Sequence, residues 1–479
     1  MIVLSGKRLS RKLCLGAWRT FVSNGEKEPY WRSKFPDRIA SFDEIPTISE
    51  RYDPQRLPQV AEQWFKKFGY VVKEPMPFGK YNVHLFHFDD FKIVYSNDGS
   101  FPIRQSHYAV AQYREERKHL YSGVGLGAGQ GQEWRHLRSA ASALNLHTSR
   151  SMAEDVVDDL ISIIKNNLND TGEIDLLPWL HRWAFESVGV VALNRRLNAL
   201  SQNGNELADK MVAAAAVTDE MIALTTMEPT TMYEERFKQL VEAQDFFYSV
   251  LKKYIDGIMR DIELDPETEG VAQILLQNDS YTEKDVITLI MDMFQGSLQT
   301  VPLTALMAFY HLALNSYIQD KARDEARKRM PTKNSKYFDF KGPKDYIGSI
   351  VYETLRLNPP VLGNGRIIQR DLILGGYFVP AYTNVLLHFQ VASRQKEFFE
   401  EPLKFIPERE DYQKIMSVFG GSSRMCIGKT FALRQLLLIV TKIIKNFEVS
   451  YDGGEVSMIN HLHNKPEKPL ILRLKPIDE

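Results

Sequence analysis

One cysteine and the residues around it carry the clearest chemical information in this chain. Cys426 lies in the run FGGSSRMCIG at 419–428, and the 479 residues contain one other cysteine, Cys14. Apolar residues after Lys429 recur at helical spacing, so the thiol lies just before the N-terminus of a predicted helix over 429–444. Free N–H groups and the helix dipole favour a thiolate at such a position. The position therefore predicts a metal ligand.

The neighbours of Cys426 restrict which metal group it could hold. The glycines of the run allow the backbone to approach a flat ligand closely, and Arg424 offers a forked donor to a carboxylate. A single thiolate cannot hold zinc, which takes about four protein ligands or three and a water. It can, however, be the axial ligand of haem iron.

The run resembles the haem-binding loop of the cytochrome P-450 monooxygenases, commonly written F-x-x-G-x-R-x-C-x-G. Phe419, Arg424, Cys426 and Gly428 match this pattern, whereas Ser422 stands where the family usually has glycine. The resemblance implies that haem b is the cofactor and that Cys426 is the axial ligand of its iron. It also implies that Phe419, Arg424 and Gly428 contribute to the cofactor site.

Two further motifs resemble structural elements of the same family. Glu353 and Arg356 match its E-x-x-R motif, and their spacing places them on one face of a helix. Arg409 closes the run PER at 407–409, which resembles the later P-x-R motif. The resemblance implies that these three residues form a buried, ion-paired cluster that supports the haem-binding region.

Several cationic residues resemble the family's contacts to the haem propionates. Trp134 and Arg138 match the motif W-x-x-x-R and share one helix face. Arg366 matches a second arginine, which the family places on a strand, and Arg424 would supply the third. Three guanidinium groups and an indole N–H are the partners that a buried dianion requires.

The segment 285–314 reads as one long apolar helix and resembles the family's central helix beside the iron. Gly296, Gln299 and Thr300 align with its A/G-G-x-D/E-T pattern. The resemblance implies that Gly296 opens this helix and that Thr300 hydrogen-bonds dioxygen or a proton-delivering water. Gln299 replaces the family's carboxylate and cannot relay a proton by ionising. Pro302 removes a helical hydrogen bond and predicts a kink.

The elements that would position these groups are mostly helical. Helical periodicity is clear over 152–167 and 237–262, among other segments. Strand-like runs are few: 68–72, 82–87, 367–374, 384–388 and 470–474. The pattern and the resemblance together predict a mainly α fold with a small β-rich region, formed by one haem-containing domain over 29–479.

Family position also predicts the lining of the substrate pocket. It would include the loop 121–129, Met293, Phe294 and the turn near Met458. These segments are largely apolar, which favours a lipophilic, sterol-like substrate, although each apolar residue is equally compatible with core packing. The segment 207–247, rich in methionine and alanine, is expected to form a lid and a peripheral contact with a membrane surface.

Charge is distributed unevenly along the chain. The formal net charge is −1, and no nucleic-acid partner is expected.

The first 25 residues carry five basic residues and no acidic one, on a helical face separate from the apolar one. This composition is typical of a mitochondrial transit peptide, placed here at 1–28, and a bilayer span would need ~20 apolar residues. A basic tail without a targeting role is the alternative.

Short phrases elsewhere resemble the family's mitochondrial members, such as FDEIP at 42–46 and DLILGGY at 371–377. We therefore expect a location on the matrix side of the inner mitochondrial membrane. The expected electron donor is an adrenodoxin-type, two-iron ferredoxin with its NADPH-dependent reductase. Many such members have a lysine where Tyr352 stands and paired basic residues where Lys429 precedes Thr430, so altered ferredoxin docking is expected.

The leading hypothesis is a haem-thiolate monooxygenase that inserts one atom of O2 into a C–H bond of a lipophilic substrate. One alternative is an enzyme that rearranges a peroxide without external electrons, which Gln299 would allow, although Thr300 is retained. Another is a non-enzymatic haem-thiolate ligand binder or sensor. Turnover without ferredoxin would favour the first alternative, and ligand binding without product would favour the second.

Overall fold

The computed structural model describes residues 29–36, 38–143, 150–201, 205–227, 234–264, 270–330 and 345–477. The predicted transit peptide at 1–28 lies outside the described residues. Helices make up most of the described chain, which confirms the predicted fold class. In chain order they are α1 (Leu57–Phe68), α2 (Phe88–Ser96), α3 (Tyr108–Glu115), α4 (Gly125–Ala128), α5 (Gly131–Ala143), α6 (Arg150–Asn167), α7 (Leu177–Leu193), α8 (Glu206–Met227), α9 (Glu234–Leu264), α10 (Val271–Leu276), α11 (Glu283–Ser297), α12 (Thr300–Ala313), α13 (Ser316–Arg329), α14 (Tyr346–Leu357), α15 (Phe389–Ser393), α16 (Tyr412–Ile415) and α17 (Lys429–Asn446).

Small sheets accompany these helices. The largest has the strand order β1-β2-β7-β4, in which only the β2–β7 pair is parallel. The others pair β9 with β10, β5 with β6, and β11 with both β3 and β8. The strands are β1 (Val71–Met76), β2 (Lys80–Leu85), β3 (Glu173–Asp175), β4 (Asn364–Ile367), β5 (Leu372–Leu374), β6 (Tyr377–Val379), β7 (Asn384–Leu387), β8 (Phe447–Ser450), β9 (Met458–His461), β10 (His463–Pro466) and β11 (Ile471–Pro476).

All five predicted strand runs differ in their bounds from the strands of the structure, and in two of them the difference comes from a turn. The run 68–72 begins too early, because Phe68 ends α1 and Gly69, at φ +88°, terminates that helix before β1 begins. The run 367–374 combines the end of β4 with β5, and a bend at 369–370 separates the two strands. Both errors come from turns inside apolar runs.

The buried core of the described residues contains two large clusters, which share α7, and two smaller ones. One cluster packs α6, α12, α14 and α17 around the side of α7 that carries Trp183. The other packs α8, α9, α10 and α11 around the side that carries Phe185 and Val188. Helix α12 is buried almost all round because its sequence, TVPLTALMAFYHLA, is apolar on every face.

The long helix predicted over 285–314 is interrupted in the structure. Helix α11 begins with a capping box, in which Thr282 and Asp285 exchange side-chain and backbone hydrogen bonds, and it ends at Ser297. Helix α12 begins at Thr300, with Pro302 as its third residue. Pro302 has no N–H to offer to the carbonyl of Leu298, which accounts for a break at this point.

Among the described residues, no single helix is long and apolar enough to cross a bilayer. The segment Glu283–Ala313, which comprises α11 and α12, is long and apolar enough only when it is taken together with α13 (Ser316–Arg329), and the two are bent by 114° relative to each other.

Candidate active site

The cysteine loop is closed by its own backbone and fixed from outside. The N–H of Cys426 donates to the carbonyl oxygen of Phe419 at 2.8 Å. Gly420 has φ +78° and Ser422 has φ +58°, so the position where the family usually has glycine adopts the left-handed conformation that favours glycine. The hydroxyl of Ser422 donates to the carboxylate of Asp98, which holds this conformation. Gly428 is the last residue before α17.

Cys426 faces a cavity of about 1090 Å³, a volume that includes its open mouth. The thiol is exposed to this cavity, yet it lies deep within the protein, and this burial raises its pKa. Backbone N–H groups of Gly428 and Lys429 and the charge of Arg138 oppose that shift, because they favour the thiolate. Without a bound metal, the Cys426 thiol is therefore protonated near neutral pH, whereas coordination to a metal would deprotonate it.

Guanidinium groups crowd the wall of this cavity next to Cys426. Burial, followed by repulsion from neighbouring arginines, lowers the pKa of Arg424 to about 9 and that of Arg104 to about 10. Nε and Nη1 of Arg424 and Nε of Arg104 are buried and have no hydrogen-bond partner among the described residues. Buried cationic donors without partners are costly, so the wall requires an anion.

Helix α5 supplies two more of the predicted residues to the same wall. Trp134 is buried, and the guanidinium carbon of Arg424 lies 4.6 Å from the centre of its ring. Arg138 lies one turn further along the helix and lines the cavity, and burial lowers its pKa. Within the described chain, the side chain of Arg138 has no ion-pair or hydrogen-bond partner.

Arg366 is placed differently from the other predicted arginines. It is fully buried on β4, and its Nε donates to Asp98 at 2.9 Å. Its remaining nitrogens donate to Asn364 and to the carbonyl oxygens of Gly365 and Gly421. Arg366 therefore connects β4 to the cysteine loop through four of its five N–H groups, and one hydrogen of Nη2 remains without a partner among these contacts.

These groups fit haem b. The cofactor's propionates supply two carboxylates, which match the unpartnered donors of Arg104 and Arg424 and the unpaired Arg138. A flat macrocycle needs open space on both faces. A Cβ added to Gly428, beside the cysteine, or to Gly296, on α11, would meet no atom within 4 Å. Among the described residues, no cluster of three or more His, Cys, Asp or Glu side chains could hold a metal ion.

The residues predicted to act on dioxygen lie at the end of α11. Gly296 lines the cavity, and its carbonyl oxygen accepts a hydrogen bond of 2.9 Å from the hydroxyl of Thr300. Gln299 faces α7, where its Oε1 lies 3.2 Å from Nε2 of His181. Burial lowers the pKa of His181 to about 4, so the imidazole is neutral. Gln299 and Thr300 are not among the side chains that line the cavity.

The E-x-x-R and P-x-R residues meet in one cluster. Nε and Nη2 of Arg356 donate to the Glu353 carboxylate at 2.7 and 2.8 Å, and Nε of Arg409 donates to it at 3.0 Å. Arg356 also donates to the carbonyl oxygens of Ser393, Pro402 and Lys404. The structure thus brings the three predicted residues together in one buried cluster that fixes the chain between α15 and α16.

Arg114 and Asp292 are charged residues that line the cavity, and they belong to none of the sequence motifs. Asp292 on α11 accepts hydrogen bonds from Arg114 at 2.8 Å and from the N–H of Leu126 at 2.6 Å. Gly125 has φ +86°, and a Cβ there would collide with both Arg114 and Asp292. The loop predicted to line the pocket does so through Leu126 and Gly127, whereas Phe294 is buried in the core. No spacing signal distinguishes Arg104 as a site residue, whereas Asp292 lies two helical turns before Gln299 on the same face.

Comparison with known proteins places this site in a family. The family model for cytochrome P-450 matches residues 44–474. Cytochrome P-450 302a1, mitochondrial, from Drosophila melanogaster is 27% identical, over 91% of this chain and 92% of that protein. The Drosophila protein named probable cytochrome P-450 12b2, mitochondrial, is 29% identical over 80% and 78% of the two chains. The cholesterol side-chain cleavage enzyme, mitochondrial, of Oncorhynchus mykiss is 25% identical over 86% and 84%.

The family model spans the cavity, the cysteine loop and the buried Glu353 cluster, and the family implies haem as the cofactor. The chain therefore belongs to the cytochrome P-450 family and is a P-450 monooxygenase.

Proposed function

We propose that Cys426 is the axial ligand of haem b in a mitochondrial monooxygenase that acts on a lipophilic substrate. The observation that carries this assignment is a thiol that faces the cavity next to buried guanidinium donors without protein partners. Arg104, Arg138 and Arg424 would hold the propionates together with the indole N–H of Trp134. The bound haem supplies the activation of O2 and the insertion of one oxygen atom into a C–H bond.

Other residues around the cavity stabilise the thiolate, leave room for the reacting atoms and could assist a proton transfer. Backbone N–H groups of Gly428 and Lys429 stabilise the thiolate. The open surface at Gly296 leaves room for the reacting atoms on the opposite face. The Thr300 hydroxyl donates to the Gly296 carbonyl in this structure, so assistance to a proton transfer requires this hydroxyl to exchange its partner.

Electrons are proposed to come from a two-iron ferredoxin with its NADPH-dependent reductase. The support is the similarity to relatives whose names place them in mitochondria. The same similarity, with the basic composition of the first 25 residues, supports a location on the matrix side of the inner mitochondrial membrane. Lys429 is half-buried beside the Phe419 ring, so its charge is not fully exposed for docking, and Tyr352 is buried and uncharged.

The ligand assignment is tested by the absorption spectrum of the reduced protein under carbon monoxide. The wild type and the control Cys14→Ser should both show the strongly red-shifted Soret band of thiolate-bound haem. Cys426→Ser should lose this band, and a variant that retained it would refute the assignment.

A second readout tests the propionate contacts without measuring activity. Arg424→Leu should retain less haem through gel filtration than the wild type, because buried donors for the propionates are lost. Arg434→Leu, which changes an exposed arginine on α17, is the matched control and should retain haem normally. Product formation should require ferredoxin, its reductase and NADPH, whereas turnover of a peroxide without them would favour the rearranging alternative.

A further inference from the structure

A short segment of the chain, 124–127, forms part of the cavity wall next to helix α11. Leu126 and Gly127 of this segment line the cavity, and so do Asp292 and Gly296 of α11. Asp292 lies one helical turn before Gly296, so the two residues share one face of α11. The distance between the segment and this face therefore determines how much room a ligand has near Gly296.

The segment is bonded to α11 through the carboxylate of Asp292. Oδ2 of Asp292 accepts from the N–H of Leu126 at 2.6 Å, and Oδ1 accepts from Nη2 of Arg114 at 2.8 Å. Nη1 of Arg114 donates in turn to the carbonyl oxygen of Val124 at 3.2 Å. The guanidinium carbon of Arg114 also lies 5.3 Å from the centre of the Tyr121 ring. Asp292 and Arg114 thus join α3, α11 and the segment in one group of contacts.

The charge of Arg114 is buried between the segment and α11. Its side chain is only 3% exposed, and Asp292 is the only carboxylate within ion-pair distance of it in the described chain. A Cβ on Gly125 would collide with both side chains, so the backbone of the segment lies directly on the ion pair. A buried cation that loses its partner is costly. Loss of the Asp292 charge therefore favours displacement of the segment, which lets water reach Arg114.

The other bonds of the segment do not involve α11. The carbonyl oxygen of Gly127 accepts from Nη2 of Arg104 at 2.8 Å, and the N–H of Val124 donates to Glu133 on α5 at 2.7 Å. These bonds hold the segment to the side of the cavity where the propionates are proposed to bind. Asp292 is thus the residue of α11 that fixes the distance between this helix and the segment.

We propose that Asp292 is a positioning residue that, with Arg114, holds segment 124–127 against α11 and so limits the size of substrate that fits beside Gly296. This inference rests on the proposed function, since it assigns a determinant of substrate size in the same cavity. A bulky ligand that displaces the segment must break hydrogen bonds to charged groups, each worth about a 10- to 100-fold change in Kd. A purely structural ion pair is the competing interpretation, and it predicts variants of lower stability with an unchanged size preference.

The first part of the test measures amide hydrogen exchange in the wild type and in Asp292→Asn. Asparagine has the same size, but its one oxygen cannot accept from both Leu126 and Arg114, because the NH2 group faces the other donor. The amides of 124–127 should therefore exchange at least ~10-fold faster in the variant. Asp209→Asn is the matched control, since Asp209 pairs with Arg182 at 2.7 Å between α8 and α7 but does not line the cavity. The control should leave this exchange unchanged.

The second part measures size preference with two azoles, 1-benzylimidazole and 1-tritylimidazole. Both bind haem iron through the same imidazole nitrogen and differ in bulk, and the shift of the Soret band of the haem-loaded protein gives each Kd. The ratio of the Kd of the larger azole to that of the smaller should be at least ~10-fold lower in Asp292→Asn than in the wild type. Asp209→Asn should keep the wild-type ratio.

A double variant carries the test if Asp292→Asn does not accumulate in a folded form. Arg114→Met combined with Asp292→Asn removes both charges and leaves no unpaired buried cation. The bond from Arg114 to Val124 is lost in this variant, so the Kd ratio should again fall below that of the wild type.

The proposal is overturned if the amides of 124–127 exchange at the wild-type rate in Asp292→Asn, or if they exchange faster while the Kd ratio does not change. Failure of the proposed function would overturn it as well, but with a different signature. The reduced protein would then lack the red-shifted band under carbon monoxide, and neither azole would shift the Soret band. Amide exchange does not depend on haem, so the two failures can be distinguished.

Discussion

Glu353→Gln is expected to cause a large loss of stability, although it replaces a side chain with one of almost equal size. The carboxylate accepts two hydrogen bonds from Arg356, one from Arg409 at 3.0 Å and one from the N–H of Ile406 at 2.9 Å. An amide retains one oxygen and turns an NH2 group toward guanidinium donors. Two buried cations then lose their counter-charge.

The magnitude follows from the burial of the cluster. Side chains of Glu353 and Arg356 are 2% and 0% exposed, so solvent cannot replace the lost partner. Removing one member of a buried ion pair costs about 3–5 kcal/mol, against a total stability of about 5–15 kcal/mol for a typical protein. A loss of this size should lower the urea midpoint markedly, as followed by far-UV circular dichroism.

The matched control is Glu50→Gln. Glu50 pairs with Lys67 at 2.9 Å, but the two side chains are 77% and 59% exposed, so this change should not move the midpoint measurably. If Glu353→Gln does not accumulate in a folded form, Arg409→Lys provides a milder test, because lysine keeps the positive charge beside Glu353. This change removes the bond from Arg409 Nε to Glu353 and the bonds from its Nη atoms to backbone carbonyl oxygens. A Glu353→Gln midpoint equal to that of Glu50→Gln would refute the reasoning.

Three further outcomes are expected. Ser422→Gly relieves the strain of a left-handed backbone conformation but removes the hydrogen bond to Asp98. Because each effect is worth ~1–2 kcal/mol, the two should nearly cancel and the urea midpoint should change little. A decrease in the free energy of unfolding above ~2 kcal/mol would show that the hydroxyl contributes more than the strain. Gly125→Ala should destabilise the holoprotein and broaden its melting curve, because the new methyl group collides with Arg114; an unchanged melting temperature would contradict this. Burial raises the folded-state pKa of Asp90 to about 7, well above its unfolded value of about 4, so the folded protein binds the extra proton and stability falls as pH rises from 4 to 7. Asp90→Asn should flatten this dependence in urea titrations at pH 5 and pH 7, and an unchanged slope would exclude Asp90 as its source.

The sequence predicted those parts of the site whose residues lie close together along the chain or match a family motif. The cysteine loop spans ten residues, 419–428, and Glu353 and Arg356 are one helical turn apart. For residues this close in the chain, the spacing alone predicts which side chains lie near one another. Pro302 similarly predicts the interruption between α11 and α12, because a missing N–H is a property of the residue itself.

Contacts between distant segments could not be predicted in this way. The role of Arg366 as a propionate contact stays a prediction, but no spacing signal predicts the bond from its Nε to Asp98, which lies 268 residues earlier in the chain. Asp219, Gln244 and Gln295, which line the cavity, come from three separate helices, and none of them belongs to a recognisable motif. Glutamines on amphipathic helices usually face solvent, so only the packing of α8, α9 and α11 shows that Gln244 and Gln295 are among the residues that line the cavity.

The break between α11 and α12 divides the long helix into two mechanical units. Through Gln295 and Asp219, α11 is bonded to α8, which belongs to the expected lid, and through Asp292 it is bonded to α3 and α4. Helix α11 packs in the core cluster that contains α8, α9 and α10, whereas α12 packs in the cluster that contains α6, α14 and α17. Because Pro302 cannot complete the hydrogen bond at the break, α11 can tilt with the lid at less cost than a continuous helix would allow. Displacement of the lid by a ligand would therefore be transmitted to the open surface at Gly296, while the core cluster around α12 keeps its position.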